Sequence, residues 1–142
     1  MLTRIATVSI VLALVASGAA FAATRDMGMG TMVYLHSSSL GKVLATSTGR
    51  TLYLYTPDGK NRSRCTGSCA TFWPPLMTKG KPVAGMGVKQ SLLGTAKRGT
   101  KLQVTYNGHP LYTYTGDSKA GDTIGEGSSG IWFVVTAAAK KK

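Results

Sequence analysis

The sequence predicts an all-β fold: two tandem four-stranded antiparallel units packed as one sandwich or barrel-like domain behind an N-terminal signal peptide. Three observations carry this. Residues 42–76 align without a gap on residues 101–135, with 10 identities over 35 positions that include both Trp residues, Trp73 and Trp132. An internal period of this size marks repeated supersecondary units that need each other to bury a core. Turn signals and short β-type runs alternate along the chain, beginning with Gln103-Val104-Thr105-Tyr106, Asn107-Gly108 and Leu111-Tyr112. Helical periodicity is nearly absent beyond the first apolar stretch.

Residues 1–22 have the form of a signal peptide. Arg4 supplies a positive start, Ile5 to Ala16 is apolar, and Ala20-Phe21-Ala22 offers small residues around a cleavage point after Ala22. The apolar run is shorter than the roughly 20 residues a membrane span needs. The signal peptide predicts export, to the periplasm or beyond, and no transmembrane segment is expected in the mature chain. Residues 23–31 are rich in Met and Gly without period and read as a flexible leader.

The β domain is expected over residues 32–136. Its first unit, about residues 32–76, starts with a strand at Met32–His36. A hairpin follows, Val43–Thr46 to Leu52–Tyr55, turning near Thr48-Gly49. A long polar loop then leads to a last strand at Phe72-Trp73. The second unit, about residues 91–135, repeats the plan with Ser91–Thr95, a hairpin through Asn107-Gly108, a loop, and Ile131–Val135. Asn-Gly suits a type I′ turn because both residues tolerate positive φ. Residues 79–87, rich in Gly and Pro, read as a linker. In the third strand, Leu52 and Leu54 must face opposite to Tyr53 and Tyr55. The basic tail, residues 137–142, reads as mobile.

The chain carries 17 Lys and Arg against 5 Asp and Glu, a formal charge of +12. Such a balance favours anionic envelope polymers or lipid surfaces as partners. The basic residues are scattered without interleaved aromatics, which argues against specific nucleic-acid recognition. The two His residues and five acids give little material for acid–base catalysis, and no nucleophile triad, zinc-ligand set or phosphate loop is present. The expectation is a non-enzymatic protein with no cofactor, acting by binding or scaffolding.

Each unit contains Tyr-x-Tyr-x-x-Asp: Tyr53, Tyr55 and Asp58, then Tyr112, Tyr114 and Asp117. Both aspartates lie in turn sequences, where a carboxylate bonds nearby backbone N–H groups or a Tyr hydroxyl. With these motifs, the Cys65–Leu76 segment and Gly121–Gly125 before Trp132, the chain resembles a family of bacterial secreted repeats and lipoproteins of unknown function. The resemblance spans nearly the whole mature domain and supports the fold and the location. This chain lacks the Cys after the apolar run that lipid attachment requires.

Cys65 and Cys69 are the only cysteines. In an exported protein a local disulfide is expected. Arg62 and Arg64 nearby would favour a reactive thiolate in the alternative reading, a thiol redox or copper protein. The soft-ligand inventory for copper is Met27, Met29, Met32, His36, Cys65, Cys69 and His109. Asp117, Asp122 and Glu126 share one Gly-rich loop, but without the spacing of an EF-hand.

Overall fold

The computed structural model describes residues 30–141. The proposed signal peptide, most of the leader with Met27 and Met29, and Lys142 lie outside them. Nine short strands and one helical turn follow in order: β1 (Met32–Ser38), β2 (Gly41–Ala45), β3 (Tyr53–Tyr55), α1 (Ser68–Phe72), β4 (Met77–Thr78), β5 (Val83–Ala84), β6 (Leu93–Arg98), β7 (Lys101–Tyr106), β8 (His109–Pro110) and β9 (Trp132–Val134). The fold is all-β and sandwich-like, with no closed barrel.

The repeat is visible in the pairing. β1 pairs antiparallel with β2, and β6 pairs antiparallel with β7. The hairpin turns differ by one residue. In the second unit Tyr106 faces His109 across a two-residue turn, with Asn107 at φ 48° and Gly108 at φ 78°, as a type I′ turn requires. In the first, Ala45 faces Thr51, and the Thr46 amide donates to the Arg50 carbonyl, leaving a three-residue loop that ends on Gly49 at φ 82°. The gapless alignment is therefore one residue out before each turn: Ala45, not Thr46, is the counterpart of Thr105. The shared glycine after it is a true counterpart, because both loops need positive φ there.

The two units exchange strands. β3 of the first unit pairs with β9 of the second, Tyr53 opposite Val134 and Tyr55 opposite Trp132. Reciprocally, Tyr112 of the second unit bridges to Pro75 of the first, and the Thr113 amide donates to the Pro74 carbonyl. This second ladder is thinner than the first for a chemical reason. Pro74 and Pro75 have no N–H to donate, whereas Phe133 and Val134 do. The strand expected at Leu111–Tyr114 is for that reason reduced to isolated bridges.

Other expectations are also corrected. Phe72-Trp73 is not a strand: Ser68–Phe72 forms α1, and the Trp73 amide caps it by donating to the Cys69 carbonyl at 2.9 Å. A single turn of helix has too short a period to register as a pattern. Ser91 and Leu92 lie in a 3-10 turn, and β6 runs on to Arg98. The linker contains β5, which lies parallel to β1. The tail folds back: Val135 bridges to Lys141, the Tyr106 hydroxyl donates to the Ala137 carbonyl, and Ala139 packs on the core.

The period-2 reading of β3 holds. Leu52 and Leu54 enter an aliphatic core with Val33, Leu44, Val104 and Leu111. Tyr53 and Tyr55 belong to a second, aromatic core with Trp73, Tyr112 and Trp132. The second core lies where the exchanged strands meet, and it holds the candidate site.

Candidate functional site

Four rings form one column. Trp73 and Trp132 stack with centroids 3.9 Å apart and planes 3° from parallel. Tyr55 stacks on the outer side of Trp132 at 4.4 Å, and Tyr114 on the outer side of Trp73 at 4.2 Å. The order Tyr55, Trp132, Trp73, Tyr114 alternates between repeats and reads the same from either end. Tyr53 and Tyr112 meet the two Trp rings edge-on at 5.3 and 5.1 Å. Such edge-to-face pairs contribute about 0.5–1.5 kcal/mol beyond their buried area. Gly125 lets the column close, since a Cβ there would lie 2.6 Å from the Trp73 ring.

The motif aspartates are exchanged as well. The Tyr53 hydroxyl donates to Asp117 Oδ2 at 2.7 Å, and the Tyr112 hydroxyl donates to Asp58 Oδ2 at 2.7 Å. The other oxygen of each carboxylate closes its own loop: Asp117 Oδ1 accepts from the Ile124 amide at 2.9 Å, and Asp58 Oδ1 from the Arg64 amide at 2.6 Å. Each Asp thus ties the long loop of its own repeat to the Tyr of the other. Burial raises both carboxyls above the ordinary value, against the opposing pull of these hydrogen bonds. Burial, then the carboxylate partner, pushes the Tyr53 hydroxyl far up. Burial also pushes up the Tyr112 hydroxyl, where Ser63 opposes the shift.

A cleft of about 320 Å³ runs along the column, lined by all four rings, Phe72 and Ile131, and by Ser68, Cys69 and Ser128. Phe72 is 60% exposed at its rim. Each Trp has both faces covered by neighbouring rings, so the cleft meets their edges. Ring edges carry the positive end of the aromatic quadrupole. The cleft therefore favours electron-rich or anionic surfaces over groups that need a bare ring face. The rim residues Phe72 and Ile131 stand directly before the two Trp residues in the sequence, the one local signal of this cleft.

Cys65 and Cys69 are joined in a disulfide. Cys65 is fully buried, and Cys69 lines the cleft. The bridge pins α1 ahead of Trp73, while Arg98 Nη2 donates to the Cys65 carbonyl at 2.7 Å. As a disulfide the pair supplies no thiolate to a metal. His36 lines a hollow beside the 46–49 loop, and His109 lines another beside the tail. Met32 Sδ accepts a hydrogen bond from the Tyr34 hydroxyl. The copper inventory is thus dispersed among the described residues. So is the acidic loop: Asp117 bonds Tyr53, Asp122 accepts from Ser118 and Lys119, and Glu126 accepts from the Val134 amide. Among the described residues no three His, Cys, Asp or Glu side chains converge to hold a metal ion.

Residues 35–77 and 93–136 each match the family described as a secreted repeat of unknown function. The chain belongs to this family of secreted repeats. The two matches fall on the two structural repeats, and the secreted repeat protein is accordingly exported. Among its described residues, no helix is long and apolar enough to cross a membrane. No curated protein and no solved structure gives a significant match.

Proposed function

We propose that this protein is a non-enzymatic binding module of the cell envelope that takes its ligand in the aromatic cleft. The observation that carries the reading is the cleft itself, built symmetrically from both repeats and lined by rings whose edges face outward. The Tyr and Trp content supports it, since these side chains give large contact area at low entropic cost. The basic charge supports a second element of the reading: the protein is concentrated at anionic lipids or polymers, and the cleft then engages an electron-rich group of that surface. Lys and Arg outnumber Asp and Glu by 17 to 5, and this excess sets a positive field around the molecule.

Titration of Trp fluorescence with lipopolysaccharide, anionic vesicles and neutral vesicles tests the reading. Anionic material is expected to shift the emission, and part of the effect should survive salt that screens exposed charges. Phe72→Ser, at an exposed position, should remove the salt-resistant part and leave the fold intact. Binding that is abolished by salt and indifferent to Phe72→Ser would reduce the interaction to general adhesion and overturn the cleft as the site.

A further inference from the structure

We propose that the aromatic column is a one-electron relay that quenches oxygen-centred radicals, with Tyr53 and Tyr112 as its terminal donors and Asp117 and Asp58 as their proton acceptors. This activity is separate from ligand binding in the cleft and does not depend on it.

Indole and phenol are among the side chains most easily oxidised by one electron. A cofacial indole pair shares the resulting positive charge across both rings, which makes the pair the first seat of the charge before a proton is lost. Trp73 and Trp132 form such a pair at 3.9 Å. Tyr55 and Tyr114 extend it by stacking contacts to both ends, and the cleft exposes the column along its side.

The second part is the proton. A phenol gives up an electron readily only if its proton leaves at the same time. Tyr53 and Tyr112 have that acceptor in place, each 2.7 Å from a carboxylate oxygen. Each also touches a Trp ring edge-on, so electron and proton have separate exits from one residue. Both features occur in both repeats. Each buried phenol thus has a carboxyl oxygen as its hydrogen-bond partner and a Trp ring at its edge.

A peroxyl-class radical takes one electron from the Trp pair and one proton from solvent, and becomes a hydroperoxide. Tyr53 refills the pair with one electron, its phenolic proton passes to Asp117, and a neutral phenoxyl and a neutral carboxylic acid remain. A one-electron reductant of the quinol class later returns the electron, and the acid returns the proton. The Tyr112 and Asp58 pair does the same from the other side.

The test uses the mature chain with photogenerated tris-bipyridine ruthenium(III) as the one-electron oxidant, followed by transient absorption and electron paramagnetic resonance. An indole radical should form first and convert to a phenoxyl radical, and the conversion should slow in deuterium oxide. Tyr53→Phe with Tyr112→Phe should abolish the phenoxyl signal and lengthen the life of the indole radical. Tyr34→Phe should change neither. An undiminished phenoxyl yield in the double variant would overturn the proposal. If that variant does not fold, the unaltered chain decides: an indole-to-phenoxyl conversion with the same rate in both solvents, or no conversion, overturns it.

Discussion

Tyr53 and Tyr112, equivalent residues of the two repeats, exchange both backbone hydrogen bonds with each other. The Tyr53 amide donates to the Tyr112 carbonyl at 2.8 Å, and the Tyr112 amide donates to the Tyr53 carbonyl at 3.0 Å. A residue that pairs with its own counterpart sits on the internal two-fold axis. The Trp pair stacks about the same axis, and the strand and aspartate exchanges are its consequences. Neither repeat carries a full set of partners for its own Tyr, Asp and Trp.

Loss of either phenol hydroxyl leaves a carboxyl group short of a donor, buried at Asp117 and half-buried at Asp58. Tyr53→Phe and Tyr112→Phe should each lower stability by about 1–3 kcal/mol, the usual cost of an unpaired buried polar group. Urea denaturation measures this. Tyr34→Phe, outside the column, should stay within about 0.5 kcal/mol of the unaltered chain.

Acid should affect the molecule in a direction set by these carboxyls. Burial raises Asp58 and Asp117 above their ordinary value. Their contribution is complete below the unfolded carboxyl value, about 3.9, and is lost as pH rises through the higher folded value. Asp122 is lowered by the amides of Ser118 and Lys119, so its contribution is present at neutral pH and lost on acidification. The difference in melting temperature between the unaltered chain and Asp58→Asn with Asp117→Asn isolates the first pair. That difference should move against the unaltered chain as pH rises from 4 towards 7.

The disulfide closes a very short loop and the second repeat lacks it. Chain-entropy reasoning gives it about 2 kcal/mol. Cys65→Ser with Cys69→Ser should therefore fold, melt modestly lower, and loosen α1 next to the cleft. Near-ultraviolet circular dichroism and thermal melting check both points.

Gly125 tests the packing of the column. A methyl group there meets the Trp73 ring at 2.6 Å and the Tyr53 ring at 3.1 Å. Gly125→Ala should cost about 1–3 kcal/mol, as overpacked cores do, and should change the Trp fluorescence of the folded protein.

Much of this was legible in the sequence. The repeat placed Trp73 and Trp132 in equivalent settings, Asn107-Gly108 marked its turn, and alternation assigned Leu52 and Tyr53 to opposite faces. The exchange was not legible, because a repeat pattern states what each unit contains and is silent on which unit supplies a partner. The sequence offers each aspartate either nearby backbone N–H groups or a Tyr hydroxyl; each takes both, and the Tyr lies across the axis in the other repeat. The one-residue difference at the hairpins was hidden by Lys42/Lys101 and Thr46/Thr105, identities that fall out of register in space. The tail looked solvated because Lys140 and Lys141 dominate its composition, while the contacts that hold it come from Tyr106 and the backbone.

The exchange is tested most directly by a pair of double-mutant cycles on the full chain, read by denaturant unfolding. Tyr53→Phe should couple to Asp117→Asn, across the repeats, by about 0.5–3 kcal/mol. The same Tyr53→Phe should add to Asp58→Asn, within its own repeat, to within about 0.5 kcal/mol. Coupling to Asp58 and additivity with Asp117 would mean that each repeat closes on itself, and the interlocked account would be wrong.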